Sequence, residues 1–357
     1  MRNQHDSKHL AALREQTETT LREIIGDMRD IAILDVPNQR NVGDSLIWAG
    51  ELAYFKRLGY RIRHISDLRT YDAGDVRASL KRGGVVLLHG GGNLGDLWPG
   101  HQKLREKVAD ELRDFKIVQL PQSVYFESRA LAIRANETMS SHPDLTILLR
   151  DNESISRAQD QLPDLNCVFC PDMALGYEPP RRTGREPQKH ILVIARADHE
   201  SATNLRDLGT SWASPSDVYV TDWWLDSAET VRWRVARGVT RVQAFMMRAR
   251  HRLRRRLRIR VSGFRLPQSW MKLALIAINE ENVKHGLKLY DRASDVLVDR
   301  LHGHVFGVLL GKNHVMVDNK YRKLGAIYDD YTGMFSTAHY STTVPDAQRR
   351  ILEGMDR

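Results

Sequence analysis

The sequence predicts an α/β fold of two doubly wound parallel sheets facing each other across a cleft. Three observations lead there. Short apolar runs alternate with helical stretches from about residue 31 to residue 173, a stretch rich in proline, glycine and charge breaks the pattern at 177–190, and the alternation then resumes. Parallel strands need a long crossover, usually a helix, so this alternation is their signature. The chain's 357 residues also exceed the roughly 100 to 200 that one hydrophobic core usually serves. The expected division is 1–178, a linker at 179–189, and 190–357.

The strand IAILDVP opens the first half, followed by a helix over 44–58. Asp44 or Ser45 is expected to cap that helix, because a side-chain oxygen there can accept from the free amides of the first turn. Next come the strands YRIRHIS and GGVVLLHGGG, a helix near 102–115 and the strand KIVQLPQS. A polar helical stretch at 128–139, the strand LTILLRD, the helix SISRAQDQL and the strand CVFCPDM complete the half. The second half starts with HILVIARAD and PSDVYVTDWW, passes through an arginine-rich segment at 232–265, and continues in a helix near 270–285. KLYDRASDVLVDR and NHVMVDN are read as its remaining strands.

A composition of 41% hydrophobic and 28% charged residues excludes disordered and collagen-like classes. No window approaches the ~20 apolar residues that cross a bilayer, and MRNQHDSKHLAALREQ lacks the apolar core of a signal peptide, so a cytoplasmic protein is expected. Cys167 and Cys170 form a lone C-x-x-C. With no second pair to complete a zinc site, two reduced structural cysteines are the expectation.

The net charge of +9 is local. Residues 232–265 hold thirteen arginines and no acid, and removing them leaves about −4 on the rest. Within 244–260 the arginines mix with Phe245, Met246, Met247, Leu253 and Leu257, as on a helix lying against an anionic membrane. A solvated helix or loop is the plainer reading of the same residues, and the segment lacks the modules of nucleic-acid binders.

Chemistry is expected at the strand ends, because open α/β sheets bind ligands in the crevice beyond the carboxyl ends of their strands. Arg150, Arg196 and Arg300 each end or directly follow an apolar strand. Guanidinium forks match carboxylate and phosphate oxygens, so converging arginines would hold a small ligand with several negative charges. His302, two residues after Arg300, is the candidate for acid/base work. Asn41 and Asp44 follow the first strand, and His89 and Asn93 flank the triple glycine of LLHGGGNLGD. That loop lacks the spacing of a dinucleotide or P-loop motif. No H-E-x-x-H or comparable cluster calls for a metal.

Taken together, NVGDSLIWAG, VVLLHGGGNLGD, IVQLPQSV, LLRDNESIS, CPDMAL, IARADHE and VDRLHGHVFGVLLG resemble the polysaccharide pyruvyltransferase family in order and spacing, from about Ile31 to Tyr331. The resemblance implies two Rossmann-like domains similar to the GT-B glycosyltransferases, with the site in the interdomain cleft. It implies phosphoenolpyruvate as donor substrate, no further cofactor, and a sugar of a surface or exopolysaccharide, or its lipid-linked precursor, as acceptor. It places Arg300 and His302 in the donor site through the R-L-H motif, and Arg196 through the end of the second half's first strand. Arg150 is a further donor contact. Asn41, Asp44, His89 and Asn93 are assigned to the acceptor by position, with Asp44 and His89 as candidate bases. An enzyme of this kind belongs to cell-envelope biosynthesis, in the cytoplasm or at the inner face of the membrane. Two other readings fit parts of the sequence: a GT-B glycosyltransferase using a nucleotide sugar, and a basic membrane- or nucleic-acid-binding protein.

Overall fold

The computed structural model describes residues 3–81, 83–180, 191–196, 205, 218–223, 227–257, 265–318 and 322–355. In chain order these form α1 (Gln4–Ile25), β1 (Asp30–Leu34), α2 (Val42–Arg57), β2 (Arg61–Ile65), α3 (Ala73–Ser79), β3 (Val85–Leu88), β4 (Gly91–Gly95), α4 (Pro99–Glu111), β5 (Lys116–Tyr125), α5 (Arg129–Ser140), β6 (Leu145–Leu149), α6 (Asn152–Gln161) and β7 (Asn166–Phe169). After a single turn of tighter helix at Met173–Gly176 come β8 (Ile191–Ile194), β9 (Val218–Thr221), α7 (Ser227–Leu257), α8 (Gln268–Arg292), β10 (Asp295–Val298), α9 (Leu301–Leu310), β11 (His314–Val317), α10 (Lys323–Asp330), β12 (Ala338–Ser341) and α11 (Val344–Met355).

Two parallel sheets result. The first runs β2-β1-β3-β5-β6-β7, with β4 added alongside the outer half of β5, and the second runs β12-β11-β10-β8-β9. Counted from its own first strand, each sheet starts in the middle, steps one way, then reverses: the order is 2-1-3-4-5 in the second sheet, and in the first the same order extended by β7, with β4 left out of the count. The reversal falls between β1 and β3 in one sheet and between β8 and β10 in the other. In such a sheet the reversal opens a crevice, since helices leave the two neighbouring strands toward opposite faces. The strands are short and apolar because they are covered on both faces; β3, β8, β10 and β11 are buried along their whole length.

The sheets share one core. A cluster running from Ile31 and Leu46 through Leu120 and Leu175 to Val296, Val305 and Leu324 joins elements of both halves. Helix α2 packs on α8 and α9 as well as on the helical turn at Met173–Gly176 of its own half. Ser45 is part of that seam: its hydroxyl donates to Asn279 Oδ1 at 2.7 Å and accepts from Asn282 at 2.9 Å.

Several expectations change. The cap of α2 is Asn41, whose Oδ1 accepts from the Gly43 amide at 2.9 Å, so the helix begins two residues before Asp44. The triple glycine leads into a strand: Gly91 and Gly95 adopt φ of 138° and 132°, which glycine alone reaches readily, and β4 pairs with Gln122–Tyr125 beyond the bulge at Pro121. KLYDR belongs to α8, because Val283, Gly286, Leu289 and Tyr290 are buried at helical spacing. The N-terminal segment is a long helix, α1, buried through Leu10, Leu13, Thr17, Leu21 and Ile25. Its first turns bond to the second half, where Asp6 accepts from the Ser336 amide and hydroxyl at 3.0 and 2.8 Å.

The arginine-rich segment is neither a loop nor a wholly solvated helix through residue 257. Helix α7 packs one face on α8. Arg250, almost fully buried, grips Asp72 and Asp75 beside α3, each at 2.8 Å. Residues 258–264, and most of the expected linker at 179–189, lie outside the described residues.

Candidate functional site

A cavity of about 360 Å³ opens beyond the carboxyl ends of the strands of both sheets. Its wall takes residues after β1 (Asn41, Gly43, Asp44), β4's Gly92 and Asn93, and Arg150 after β6 from the first sheet. From the second it takes Arg196 after β8, Asp222 and Trp223 after β9, Arg300 and His302 after β10, and Lys323 at the start of α10. Both topological reversals therefore meet at one place. Of the residues expected from sequence, Asn41, Asp44, Asn93, Arg150, Arg196, Arg300 and His302 line this cavity.

His89 does not line it. Its ring is buried, with Nδ1 2.9 Å from Glu51 Oε2, while the other Glu51 oxygen accepts from the Gly90 amide. Burial works against a charged imidazole here, but the neighbouring Glu51 carboxylate outweighs it and raises the His89 pKa. This pair anchors the turn out of β3.

His302 sits in the first turn of α9, with Arg300 at the N-cap. Its Nε2 is 3.3 Å from Asp172 Oδ2 and 3.4 Å from Arg150 Nη1. Only one of these contacts can be made at a time: a protonated Nε2 donates to Asp172, and a bare one accepts from Arg150. Arg150 is itself tied down, donating to Ser123 at 2.9 Å and to Asp172 at 2.8 Å. Burial favours a neutral Asp172, yet the charges of His302 and Arg150 overcome it and hold the carboxyl far below the usual range. Asp172 is thus a fixed negative charge beside His302 Nε2 that orients the ring.

Two glycines make this packing possible. A Cβ on Gly43 would lie 2.9 Å from His302 Nδ1, and one on Gly92 would lie 2.9 Å from an Arg150 guanidinium nitrogen. The Nδ1 edge of His302 consequently faces α2's first turn at the cavity wall.

Arg300 donates through Nε to Asp222 at 2.5 Å. Asp299 accepts from the Arg196 amide at 2.8 Å, joining the ends of β8 and β10 at the second reversal. Lys323, mostly buried, donates to the Gly92 carbonyl at 3.3 Å. Asn93 is held by the buried Arg105, which donates to its carbonyl at 3.0 Å and to its side chain, and by Gln122 at 3.1 Å. Burial lowers the Arg105 pKa to about 10, so the guanidinium stays charged near neutral pH.

Among the described residues, three non-glycine positions have positive φ: Asp35 (63°), Trp223 (61°) and Arg322 (54°). Each follows a strand of the cavity side, and strain of about 1–3 kcal/mol per such residue persists only where the surroundings enforce it. Trp223 lines the cavity itself.

The sequence reading missed Asp172, Asp222 and Lys323. Each follows an apolar strand within a few residues, as the arginines do, so the same positional rule applied to carboxylates and lysine would have found them. Among the described residues no group of three or more His, Cys, Asp or Glu side chains is placed to hold a metal ion. Nor is any described helix long and apolar enough to cross a membrane.

The cavity is rich in cations, Arg196, Arg300 and Lys323 from the second half and Arg150 from the first, around the imidazole of His302, with Asp44 and Asp222 beside them. Such a set can bind a multiply charged anion and move a proton beside it. The chain is 30% identical to EpsO of Bacillus subtilis (strain 168), named provisionally as a pyruvyl transferase, over 89% of this chain and 90% of that one. It is 26% identical to pyruvyl transferase 1 of Schizosaccharomyces pombe, over 84% and 69% of the two chains. In fold it is similar to an uncharacterized protein of Klebsiella pneumoniae, with a TM-score of 0.55 at 15% identity, covering 93% of this chain and 99% of that one. A model of the polysaccharide pyruvyl transferase family matches residues 41–321. That span covers most of the chain and holds Arg150, Arg196, Arg300 and His302 together, and the chain belongs to the polysaccharide pyruvyl transferase family.

Proposed function

We propose that the protein transfers the pyruvyl group of phosphoenolpyruvate to two hydroxyls of a saccharide bound for a surface polysaccharide, forming a cyclic ketal and releasing inorganic phosphate. The observation that carries this reading is the convergence of Arg196, Arg300 and Lys323 with His302 in one cavity between two sheets. Phosphoenolpyruvate bears a carboxylate and a phosphate on one carbon, and those cations complement both. His302 gives its proton to the methylene carbon, so that C2 becomes electrophilic and the first sugar hydroxyl adds there. Phosphate then leaves, stabilised by the arginines as its charge develops, and the second hydroxyl closes the ketal. In the balance, the two hydroxyl protons replace the one given to the methylene carbon and supply the one that leaves on phosphate. The two halves divide the work, the second holding the donor and the first presenting the acceptor across a cleft. The whole runs with no cofactor beyond the donor substrate.

Incubation with phosphoenolpyruvate and candidate saccharides tests this, with phosphate release and ketal product as readouts. A nucleotide-sugar glycosyltransferase would instead be stabilised in thermal melts by nucleotide sugars and not by phosphoenolpyruvate; that result would replace the present reading.

A membrane-bound acceptor would suit the surface of α7. Val231, Val235, Val242, Phe245 and Leu253 are exposed on it, with Phe245 at 66%, and Arg241, Arg248 and Arg252 are exposed beside them. These positions fall on the face away from the buried Trp233, Ala236, Thr240, Met247 and Arg250, as a helix lying on an anionic bilayer requires. Co-sedimentation with vesicles containing phosphatidylglycerol at low salt, lost with Phe245→Ser and with neutral vesicles, is the expected result. A protein that stays in solution with the anionic vesicles would refute the contact.

A further inference from the structure

The pyruvyl-transfer reading leaves open which group takes the proton from the attacking hydroxyl. Asp44 is poorly placed for the task, because its Oδ2 accepts from both Gln39 and Asn41, at 2.9 and 2.8 Å. His89 is locked behind β3 by Glu51.

A different pair stands at the cavity. His101, in the first turn of α4, lines it together with Trp98 at that helix's N-cap. His101 Nδ1 lies 2.9 and 2.8 Å from the two oxygens of Asp35, the residue directly after β1. Asp35 is almost fully buried and holds a left-handed backbone, φ 63°. A carboxylate accepting from Nδ1–H fixes the tautomer and leaves Nε2 as a bare base. Buried after β1, Asp35 holds its charge against the imidazole edge that faces away from the cavity. Trp98, about one-third exposed, adds the flat apolar surface on which the C–H face of a sugar ring rests.

We propose that His101, oriented by Asp35, is the base for the acceptor hydroxyl and that Trp98 is the sugar's platform, making this wall of the cavity the acceptor subsite. The assignment rests on the pyruvyl-transfer reading. In the step, the hydroxyl oxygen bonds to C2 of the protonated donor as the O–H bond breaks, and that proton passes to His101 Nε2. Asp35 stabilises the imidazolium without taking the proton. His302 and His101 thus work as acid and base on separate walls, one supplied by the second half and one by the first.

The test uses the full chain with phosphoenolpyruvate and an accepted saccharide. His101→Gln is expected to lower kcat about 10²–10⁴-fold, the range of a lost general base, while the thermal shift produced by phosphoenolpyruvate alone is unchanged. His101→Ala should recover part of its activity with added imidazole. Asp35→Asn, which tolerates a left-handed backbone, should lower kcat with the acceptor KM within about threefold, because the substituted residue no longer enforces the tautomer; a structural tether would instead show as a lower melting temperature with kcat kept. Trp98→Ala should raise the acceptor KM with kcat largely retained. Turnover of His101→Gln within threefold of wild type would overturn the assignment and leave pyruvyl transfer standing. Wild-type protein that transfers nothing from phosphoenolpyruvate to any saccharide would overturn both. Should the His101 variants fail to fold, the Asp35→Asn kinetics decide the matter alone.

Discussion

The two sheets reach the cavity in different states. At the first, Asn41 is bonded to the start of α2, Asn93 to Arg105 and Gln122, and Arg150 to Ser123 and Asp172. At the second, Arg300 is braced by a carboxylate on one edge of its guanidinium, and its neighbour Arg196 is fixed through its backbone amide while its side chain lines the cavity. The first end is braced by side chains of its own half, and the second gathers its cations around Asp222. Groups held in place on both walls meet a ligand's charge without rearranging. Breaking the buried Arg150–Asp172 pair should therefore cost fold and function together, and changing Arg300 should weaken mainly the binding of the donor.

The severest way to break this contrast is Asp172→Ala. It strands the buried Arg150, both side chains being nearly inaccessible, and removal of one partner from a buried pair costs about 3–5 kcal/mol. Urea unfolding should show that loss, and turnover should fall with it as His302 loses its fixed partner. The pH dependence has a definite sign. The Asp172 pKa is depressed in the folded protein, so its stabilisation is complete above the ordinary carboxylate range and drains away as pH falls below about 4 toward the folded value. Stability of Asp172→Ala should lack that acid-side component; an identical acid profile would count against the pair.

At the second end, Arg300→Lys keeps a cation that can still reach Asp222 but loses the planar fork. The expected effect is on the donor alone: about a tenfold weaker apparent affinity for phosphoenolpyruvate, or ~1.4 kcal/mol, with the urea midpoint unchanged. A lowered midpoint would show that Arg300 is part of the frame after all.

Much of this was legible in the sequence, and the exceptions have a common cause. Short apolar runs announce parallel strands, and cations directly after them announce the cavity: Arg150, Arg196, Arg300 and His302 all arrive there. The carboxylates that aim those cations, Asp172 and Asp222, stand at strand ends too, but an acid at a strand's exit into water looks ordinary until its partner is known, and the partner lies 22 and 78 residues away. His89 went the other way. Its position beside three glycines is that of a binding loop, and only the approach of α2 to the turn after β3 reveals that Glu51 holds it inside. α1 was overlooked because its apolar positions, Leu10, Leu13, Leu21 and Ile25, are sparse in a polar segment. Arg250 looks like its exposed neighbours in sequence, and tertiary contact with Asp72 and Asp75 sets it apart.

The mildest test concerns Asn41, which position assigned to the acceptor and the structure makes a helix cap. Its Oδ1 serves the Gly43 and Asp44 amides and its Nδ2 serves Asp44, so the side chain already uses both ends on its own turn. Asn41→Ala should cost about 1 kcal/mol of stability, the ordinary worth of a cap, with Asn41→Ser recovering most of it. The acceptor KM should stay within about threefold, since the cap acts on the frame through Gly43, where His302 packs, more than on the ligand. A tenfold rise in acceptor KM at unchanged stability would mean that the Asn41 side chain leaves its turn to meet the sugar, and the first end would then be less rigid than its hydrogen bonds imply.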